Sequence, residues 1–526
     1  MIEPPETNYN EGVFNTPSLK RLRMKKNMIL ISFYFLYIGV LSCSSSHGKM
    51  NLNGVYEKTP KANTAHANPL LDFVYCADPT AIVHEGRVYV YGSNDQQQCD
   101  SVGIEVTDNT YEYIHSLVMI SSDDMVNWTY HGAINVEEAA PWTGKKGVSW
   151  APSIVSRIEA DGRTHFYLYY AHGGGGVAML TSTSPVGPWA DPLGHDIVYF
   201  GMPGLEECPA PFDPGVVIDE HGQGWLSFGG GTASYGTDYM PGSARIVRFG
   251  DDMMSVVGDI VEIPAPYFFE ASELNYINGT YIYSYSTNWV ERNEWPYSTI
   301  EKPTTCCIGY MTSKTPLVKD SWEYRGNILK NPGEYDGMSW ANNHTHFLKF
   351  KDNYYMFYHN RILEEARGIK PGFRSICVDK MTLDEANATI ELGAMTRRGP
   401  AQIKQVNPFQ WQSAATTAAT YGIKYIKGSE PGKMILQADG NGQFFEVRGV
   451  DCTASPKKIE FRVKGKGEIV VRKNGSNGEE IATVRFDANN WQVVSTTLAP
   501  TLKDVQDLCF IVEKGEILLD EWKFSN

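Results

Sequence analysis

Three carboxylates and one imidazole stand just ahead of short apolar strands at recurring places in the chain. They occur in Asp78-Pro79, Asp213-Pro214, Glu270-Ala271 and Asn343-His344, and a fifth place of the same kind reads Trp150-Ala151-Pro152. Brought into one small space, such groups push one another's pKa values apart, so that one carboxyl keeps its proton while another stays ionised. That is what acid–base chemistry requires. Taken singly the same residues mean less. An Asp before Pro commonly caps a turn or opens a strand, and a lone His more often satisfies a buried hydrogen bond than binds a ligand. Their weight comes from recurring at one phase of a repeat.

The repeat is a polar turn followed by a strand that alternates aromatic and aliphatic residues. It reads Glu85-Gly86 into Val88-Tyr89-Val90-Tyr91, Asp161-Gly162 into Phe166–Tyr170, and His221-Gly222 into Trp225–Phe228. It returns as Asn278-Gly279 into Tyr281–Tyr285 and as Asp352-Asn353 into Tyr354–Tyr358. Alternation behind a turn dipeptide marks the second strand of a β-hairpin. Copies lie roughly 55–80 residues apart, a little longer than the blade periods of known propeller repeats. A second element, from a strand end through a turn to Trp, recurs at Ser121–Trp128, Ser182–Trp189 and Ser313–Trp322. Five similar sheets in series predict a five-bladed β-propeller. Its innermost strands line a central channel and begin at the same end, so the positions ahead of them are expected to converge, at equivalent blade positions, on one mouth.

The rest of the chain is read around that unit. With 526 residues, 42% hydrophobic and 20% charged, the composition is that of a globular protein of several domains. A net charge of −15 argues against nucleic acid or an anionic membrane surface as partner. Lys25-Lys26, the apolar run Met28–Leu41 and Ser42-Cys43 form an export signal, and Val40-Leu41-Ser42-Cys43 is similar to a bacterial lipobox that would lipidate Cys43. Residues 1–43 are therefore a signal region, with Met24 as an alternative start, and the expected location is the periplasm or cell surface of a bacterium, reached by a lipid anchor. Residues 44–66 form a polar linker, 67–400 the propeller and 405–526 a second unit. In that second unit the strands Lys458–Val463, Glu468–Arg472, Ile481–Phe486 and Ile517–Asp520 predict a β-sandwich (jelly roll). The fold class is all-β. None of the eight cysteines after Cys43 shows metal-finger spacing, and most are assigned to packing. Gly173–Gly176 lacks the Lys-Ser/Thr and the following helix of a phosphate loop.

Several motifs resemble, in order, those of glycoside hydrolase family 43. These are Asp78-Pro79-Thr80, Ser149-Trp150-Ala151-Pro152-Ser153, Ser184–Trp189, Phe212-Asp213-Pro214, Phe268–Ser272, Asn343-His344 and Tyr358-His359, over about residues 70–400. The resemblance implies hydrolysis of furanosides or xylosides with inversion. It makes Asp78 the general base, Glu270 the general acid and Asp213 the group that modulates the acid's pKa. It places Arg374 against substrate and His344 at the channel centre, where Ca2+ or water is held; no organic cofactor is implied. Trp150 and Trp289 are candidate sugar-stacking residues. Ser153 departs from the pattern, since many relatives carry Asp or His there. The C-terminal unit is similar to a family 6 carbohydrate-binding module, with Ser413 and Ala415 where relatives carry calcium-binding glutamates and Ala419 in place of a Trp. The expected activity is removal of α-L-arabinofuranosyl or β-D-xylosyl units from arabinoxylan or xylo-oligosaccharides of the plant cell wall. The alternatives are an arabinan- or galactan-active enzyme of the same fold and a noncatalytic glycan-binding lipoprotein.

Overall fold

A computed structural model describes residues 58–526, apart from 145–147, 207 and 232–238. The signal region and Cys43 lie outside the described residues. Five antiparallel sheets follow one another along the chain, each with its strands in sequence order. Blade 1 comprises Ala77–His84, Arg87–Ser93, Ser116–Ser122 and Trp128–Asn135, and blade 2 Ser149–Ile158, Thr164–His172, Gly176–Ser182 and Val198–Tyr199. Blade 3 comprises Gly215–Ile218, Gly224–Phe228, Arg245–Phe249 and Val256–Glu262, and blade 4 Phe268–Ile277, Thr280–Thr287, Ile308–Ser313 and Glu323–Leu329. Blade 5 has three strands, Thr345–Phe350, Asn353–Asn360 and Ser375–Met381. The predicted propeller is the observed one.

Local chemistry explains the hairpins. A two-residue type I′ turn, whose twist matches that of antiparallel strands, needs positive φ at both central residues. Glu85 and Gly86 adopt 47° and 74°, Asn278 and Gly279 adopt 48° and 79°. The aromatic residues that follow pack between blades, as Tyr169 does against Phe249 with ring centroids 4.8 Å apart. The ring closes through the segment ahead of blade 1, which runs beside the outer strand of blade 5. There Leu70 N donates to Ile376 O at 2.8 Å and Cys76 N to Arg374 O at 2.9 Å. Buried Asn68 adds a two-way clasp, donating to Val378 O and accepting from Val378 N, each at 2.9 Å. Three short helices, Asp95–Val102, Val136–Ala139 and Ile362–Arg367, sit in connections.

The C-terminal region is a β-sandwich-like sheet assembly. Ala419–Tyr421, Gln443–Asp451, Val505–Ser525, Met434–Ala438 and Lys424–Lys427 pair in that order, and Val505–Ser525 also pairs with Lys458–Lys473. Its core stacks Phe445 on Phe510 at 4.6 Å, with Trp522 4.8 Å from Phe510. The strands expected at Lys458–Val463 and Glu468–Arg472 are one strand. Gly465 and Gly467 do not end it; they allow close crossing, since a Cβ on Gly465 would lie 2.3 Å from Glu516 O. All eight cysteines among the described residues are buried and none is in a disulfide.

This region is joined to blade 1 and the segment before it. Thr416 and Thr417 extend the outer edge of blade 1 by pairing with Thr129 and Trp128. Asp72 accepts from Thr420 N and Oγ1 at 2.9 and 2.8 Å. Asn127 and Arg448 exchange hydrogen bonds at 2.9 Å in both directions. Phe73, Tyr130 and Tyr425 form an aromatic cluster, with centroids 5.0 to 5.8 Å apart. Ala415 and Ala419 are buried, and Ala415 O accepts from Tyr130 N at 2.9 Å.

Candidate active site

The mouth is built on a repeated backbone distortion. Asp78, Ala151, Asp213 and Ala271, each near the start of an inner strand, have φ of 50°, 36°, 49° and 61°. Left-handed φ costs a non-glycine residue about 1–3 kcal/mol, and three of these four, Asp78, Ala151 and Asp213, precede Pro, where extended φ is preferred. The equivalent residues are thus Asp78, Ala151, Asp213 and Ala271. Glu270 stands one residue earlier, in line with Trp150, which corrects the expectation that all the carboxylates share one phase. The shift matters because Asp78 and Asp213 are each only 5% exposed, whereas Glu270 keeps partial exposure.

Side chains bind these kinks to the neighbouring blade. Ser93 Oγ donates to Asp78 Oδ2 at 2.7 Å and accepts from Ala151 N at 2.8 Å. Asp213 Oδ2 accepts from Ala271 N at 2.9 Å, which ties Asp213 to the residue after Glu270. Deeper in the channel, Thr80 Oγ1 accepts from Ile154 N at 3.2 Å, and Ser153 Oγ from Val216 N at 3.1 Å. Ser153 is therefore a buried blade-to-blade tie, placed below the carboxylates. Gly215 allows blade 3 to approach blade 4, because a Cβ there would lie 2.6 Å from Glu273 Cα.

Asp78 is held by Arg374. Nη1 donates to Asp78 Oδ1 at 2.8 Å, while Nε and Nη2 form a two-pronged pair with Asp95 at 2.9 Å each. The guanidinium also lies 4.7 Å from the Tyr111 ring centroid. Burial alone would raise the Asp78 pKa, but Arg374, with His359, His344 and the Ser93 hydrogen bond, outweighs it and holds the carboxyl at about 2. The permanent charge in that set is Arg374. Burial lowers His344 to about 4 and His359 to about 3, so both imidazoles are neutral near pH 7. His359 Nδ1 accepts from Asp78 N at 3.1 Å, which assigns its proton to Nε2, facing Asn342 O at 3.1 Å.

Glu270 is displaced the other way. Burial, then the negative charge of Asp78, push its carboxyl up to about 8, against the opposing pull of Arg374 and a hydrogen bond with the Asn342 side chain. Burial, then Glu270 and Asp78, push Asp213 well above the usual carboxylate range. At neutral pH the pocket therefore holds an ionised Asp78 and a protonated Glu270, a base and an acid in one mouth.

The other expected site residues fall as follows. Trp150 is half-buried with Nε1 donating to Tyr111 O at 3.0 Å. Half-buried Trp289 follows the second strand of blade 4, whose end pairs with the start of the strand bearing Glu270. His344 is buried, its Nδ1 3.7 Å from Asp78 Oδ1. Calcium takes six to eight oxygen ligands. Among the described residues no group of three or more His, Cys, Asp or Glu gathers to hold a metal ion, and His344 brings a nitrogen. The side chains therefore do not form a calcium cage. Sequence reasoning missed Asp95, Ser93, His359 and Asn342 as site residues. Asn94 caps the helix that Asp95 opens, which marks a helix start but not a site.

A five-bladed propeller with an oppositely tuned carboxyl pair at one mouth has the architecture of a glycoside hydrolase. The model of the glycosyl hydrolases family 43 matches residues 66–388, and the chain belongs to that family. The arabinoxylan arabinofuranohydrolase of Bacillus subtilis (strain 168) is 35% identical over 487 residues, covering 88% of this chain and 92% of its own length. The enzyme of the same name from Paenibacillus polymyxa is 32% identical over 88% of this chain and 74% of its own. The crystal structure of a family 43 arabinoxylan arabinofuranohydrolase from Bacillus subtilis, in complex with cellotetraose, superposes with a TM-score of 0.81 at 33% identity. That match covers 89% of this chain and 99% of the other, so the C-terminal region belongs to the shared architecture.

Proposed function

We propose that this glycoside hydrolase removes α-L-arabinofuranosyl units from arabinoxylan by a single displacement with inversion. The observation that carries the reading is the opposed displacement of two carboxyls in one pocket, Asp78 held at about 2 and Glu270 raised to about 8. A water positioned by Asp78 gives up a proton to that carboxylate as its oxygen attacks the anomeric carbon. The carbon–oxygen bond to the polysaccharide breaks, and the Glu270 proton passes to the departing oxygen. Asp213 orients the acid through Ala271, and any negative charge it takes up would oppose ionisation of Glu270. Arg374 positions and ionises Asp78, and Asp95 holds Arg374 in turn. A noncatalytic glycan-binding protein has no need for this split.

The names of the two curated relatives, over most of the chain, favour arabinoxylan over arabinan or galactan. The C-terminal region acts in this reading as a brace for blade 1, since Ala415 and Ala419 are buried against other strands. The lipobox-like segment ending at Cys43 supports export and lipid anchoring in a bacterial envelope. The deciding experiment compares release from 4-nitrophenyl α-L-arabinofuranoside, 4-nitrophenyl β-D-xyloside and wheat arabinoxylan. Arabinose release from the polymer supports the reading, and xylose as the sole product overturns it.

A further inference from the structure

Trp340 lies outside the set formed by Asp78, Asp213, Glu270 and Arg374. It is 51% exposed, on the connection that enters blade 5, two residues before Asn342. Asn342 O accepts from His359 Nε2 at 3.1 Å, His359 Nδ1 accepts from Asp78 N, and the Asn342 side chain stands beside the Glu270 carboxyl. Two peptide units span at most about 7.6 Å between Cα atoms, so Trp340 stands at the rim next to the proposed acid.

Its indole is seated on a backbone made for it. A Cβ added to Gly333 would lie 2.4, 2.5 and 2.6 Å from Trp340 Cγ, Cδ1 and Cδ2. Near-equal distances to three ring atoms place Gly333 over the face of the ring rather than at its edge. One face therefore rests on Gly333, and half of the residue stays open to solvent. Among the described residues no aromatic ring is recorded against it.

Both flanks are fixed. Ser339 N donates to Glu365 Oε1 at 2.8 Å, and Glu365 is paired with Arg397 at 2.9 Å. Ala341 O accepts from the fully buried Asn331 at 2.8 Å, and the same Asn331 caps the turn Pro332–Glu334 that contains Gly333. A large apolar ring held rigid in water loses little freedom on binding, which is how a recognition surface is preorganised.

Position names the occupant. In the proposed reaction the acid protonates the oxygen that leaves with the main chain, and Asp78 lies deeper, on the water side. A group beside Glu270 at the rim therefore meets the leaving group, not the arabinose. We infer that Trp340 is a stacking platform for the β-1,4-linked xylan main chain on the leaving-group side. The inference rests on the arabinoxylan reading. It also fits the cellotetraose, another linear β-1,4-linked chain, held by the Bacillus subtilis relative.

The test measures binding of unsubstituted xylotetraose to the full chain by calorimetry, together with kinetics on arabinoxylan. Trp340→Ala should weaken xylotetraose binding and raise KM on arabinoxylan by roughly three- to tenfold, the range of an aromatic contact. The turnover number at saturation should fall much less, and Trp340→Phe should recover most of the loss. Gly333→Ala, which keeps the indole but displaces it, should shift affinity in the same direction. Unchanged xylotetraose affinity in Trp340→Ala, with the melting temperature kept, overturns the platform, as does a wild-type protein that does not bind xylotetraose at all. A wild type that binds xylotetraose through Trp340 yet releases no arabinose leaves the platform standing and refutes the activity.

Discussion

Replacing Arg374 with Gln puts the electrostatics of the site to a direct test. Arg374 is 3% exposed, and three of its nitrogens are committed to Asp78 and Asp95 at 2.8–2.9 Å. In the native site its charge overcomes burial and takes Asp78 from 3.8 to about 2, a difference worth about 2 kcal/mol in favour of the ionised form. Without it, burial dominates both carboxyls and the Asp78 pKa rises above 3.8. The acid limb of the kcat/KM profile reports the base of the free enzyme, so it should move from below the measurable range into the region above pH 4. Stability follows with a definite sign. A depressed pKa gives stability that is complete above the unfolded value, near 4, and is lost as pH falls through about 2. In the variant the raised pKa reverses this, and the variant's deficit relative to wild type should shrink on acidification. At neutral pH two buried carboxylates lose their partner, a penalty of about 3–5 kcal/mol. Arg374→Lys, which keeps the charge, should retain more stability and a lower acid limb. The assay is a pH–rate series with an aryl glycoside, paired with thermal melts at each pH. A folded Arg374→Gln enzyme whose acid limb and pH-dependent stability match wild type would refute the assigned role.

Three further outcomes follow from the same geometry. Glu270→Gln should cost about 10²–10⁴-fold on arabinoxylan but much less on 4-nitrophenyl arabinofuranoside, whose leaving group needs little protonation; equal losses on both remove Glu270 from the acid role. Asp213→Asn should move the alkaline limb, set near 8 by Glu270, to lower pH, because a second carboxyl beside Glu270 can no longer take up charge against it; an unmoved limb leaves the elevation to burial and Asp78. Truncation after residue 405 removes the Asp72–Thr420 and Asn127–Arg448 contacts, and should lower the melting temperature by at least about 5 °C while KM on short substrates stays near normal. Tight xylan binding by the isolated C-terminal region in affinity electrophoresis contradicts the bracing role.

The propeller was legible because each blade repeats a local signal. Glu85-Gly86 and Asn278-Gly279 are turn dipeptides whose positive φ the structure adopts, and the alternating strands behind them need no distant partner to be recognised. Asp78, Asp213 and Glu270 were visible at their phase of that repeat, although the one-residue offset of Glu270 was not, since it depends on the kink at Ala271. Asp95 was out of reach: it pairs with Arg374 across 279 positions, and nothing local distinguishes it from a helix-start aspartate. His359 meets Asp78 only when blade 5 closes the ring on blade 1, whereas Ser93 reaches it across the first hairpin of blade 1. Lys458–Val463 and Glu468–Arg472 read as two strands from local alternation alone, and their continuity depends on the crossing strand Val505–Ser525, which runs beside Gly465 and Gly467.

The central claim is hydrolysis of arabinofuranosyl linkages by direct attack of water. Proton NMR of arabinoxylan during the first minutes of reaction, before the released sugar mutarotates, tests it most directly. Inversion releases free arabinose that appears first as the β-L-furanose anomer, with the xylan main chain uncut. First appearance of the α anomer, or release of xylose in place of arabinose, contradicts it.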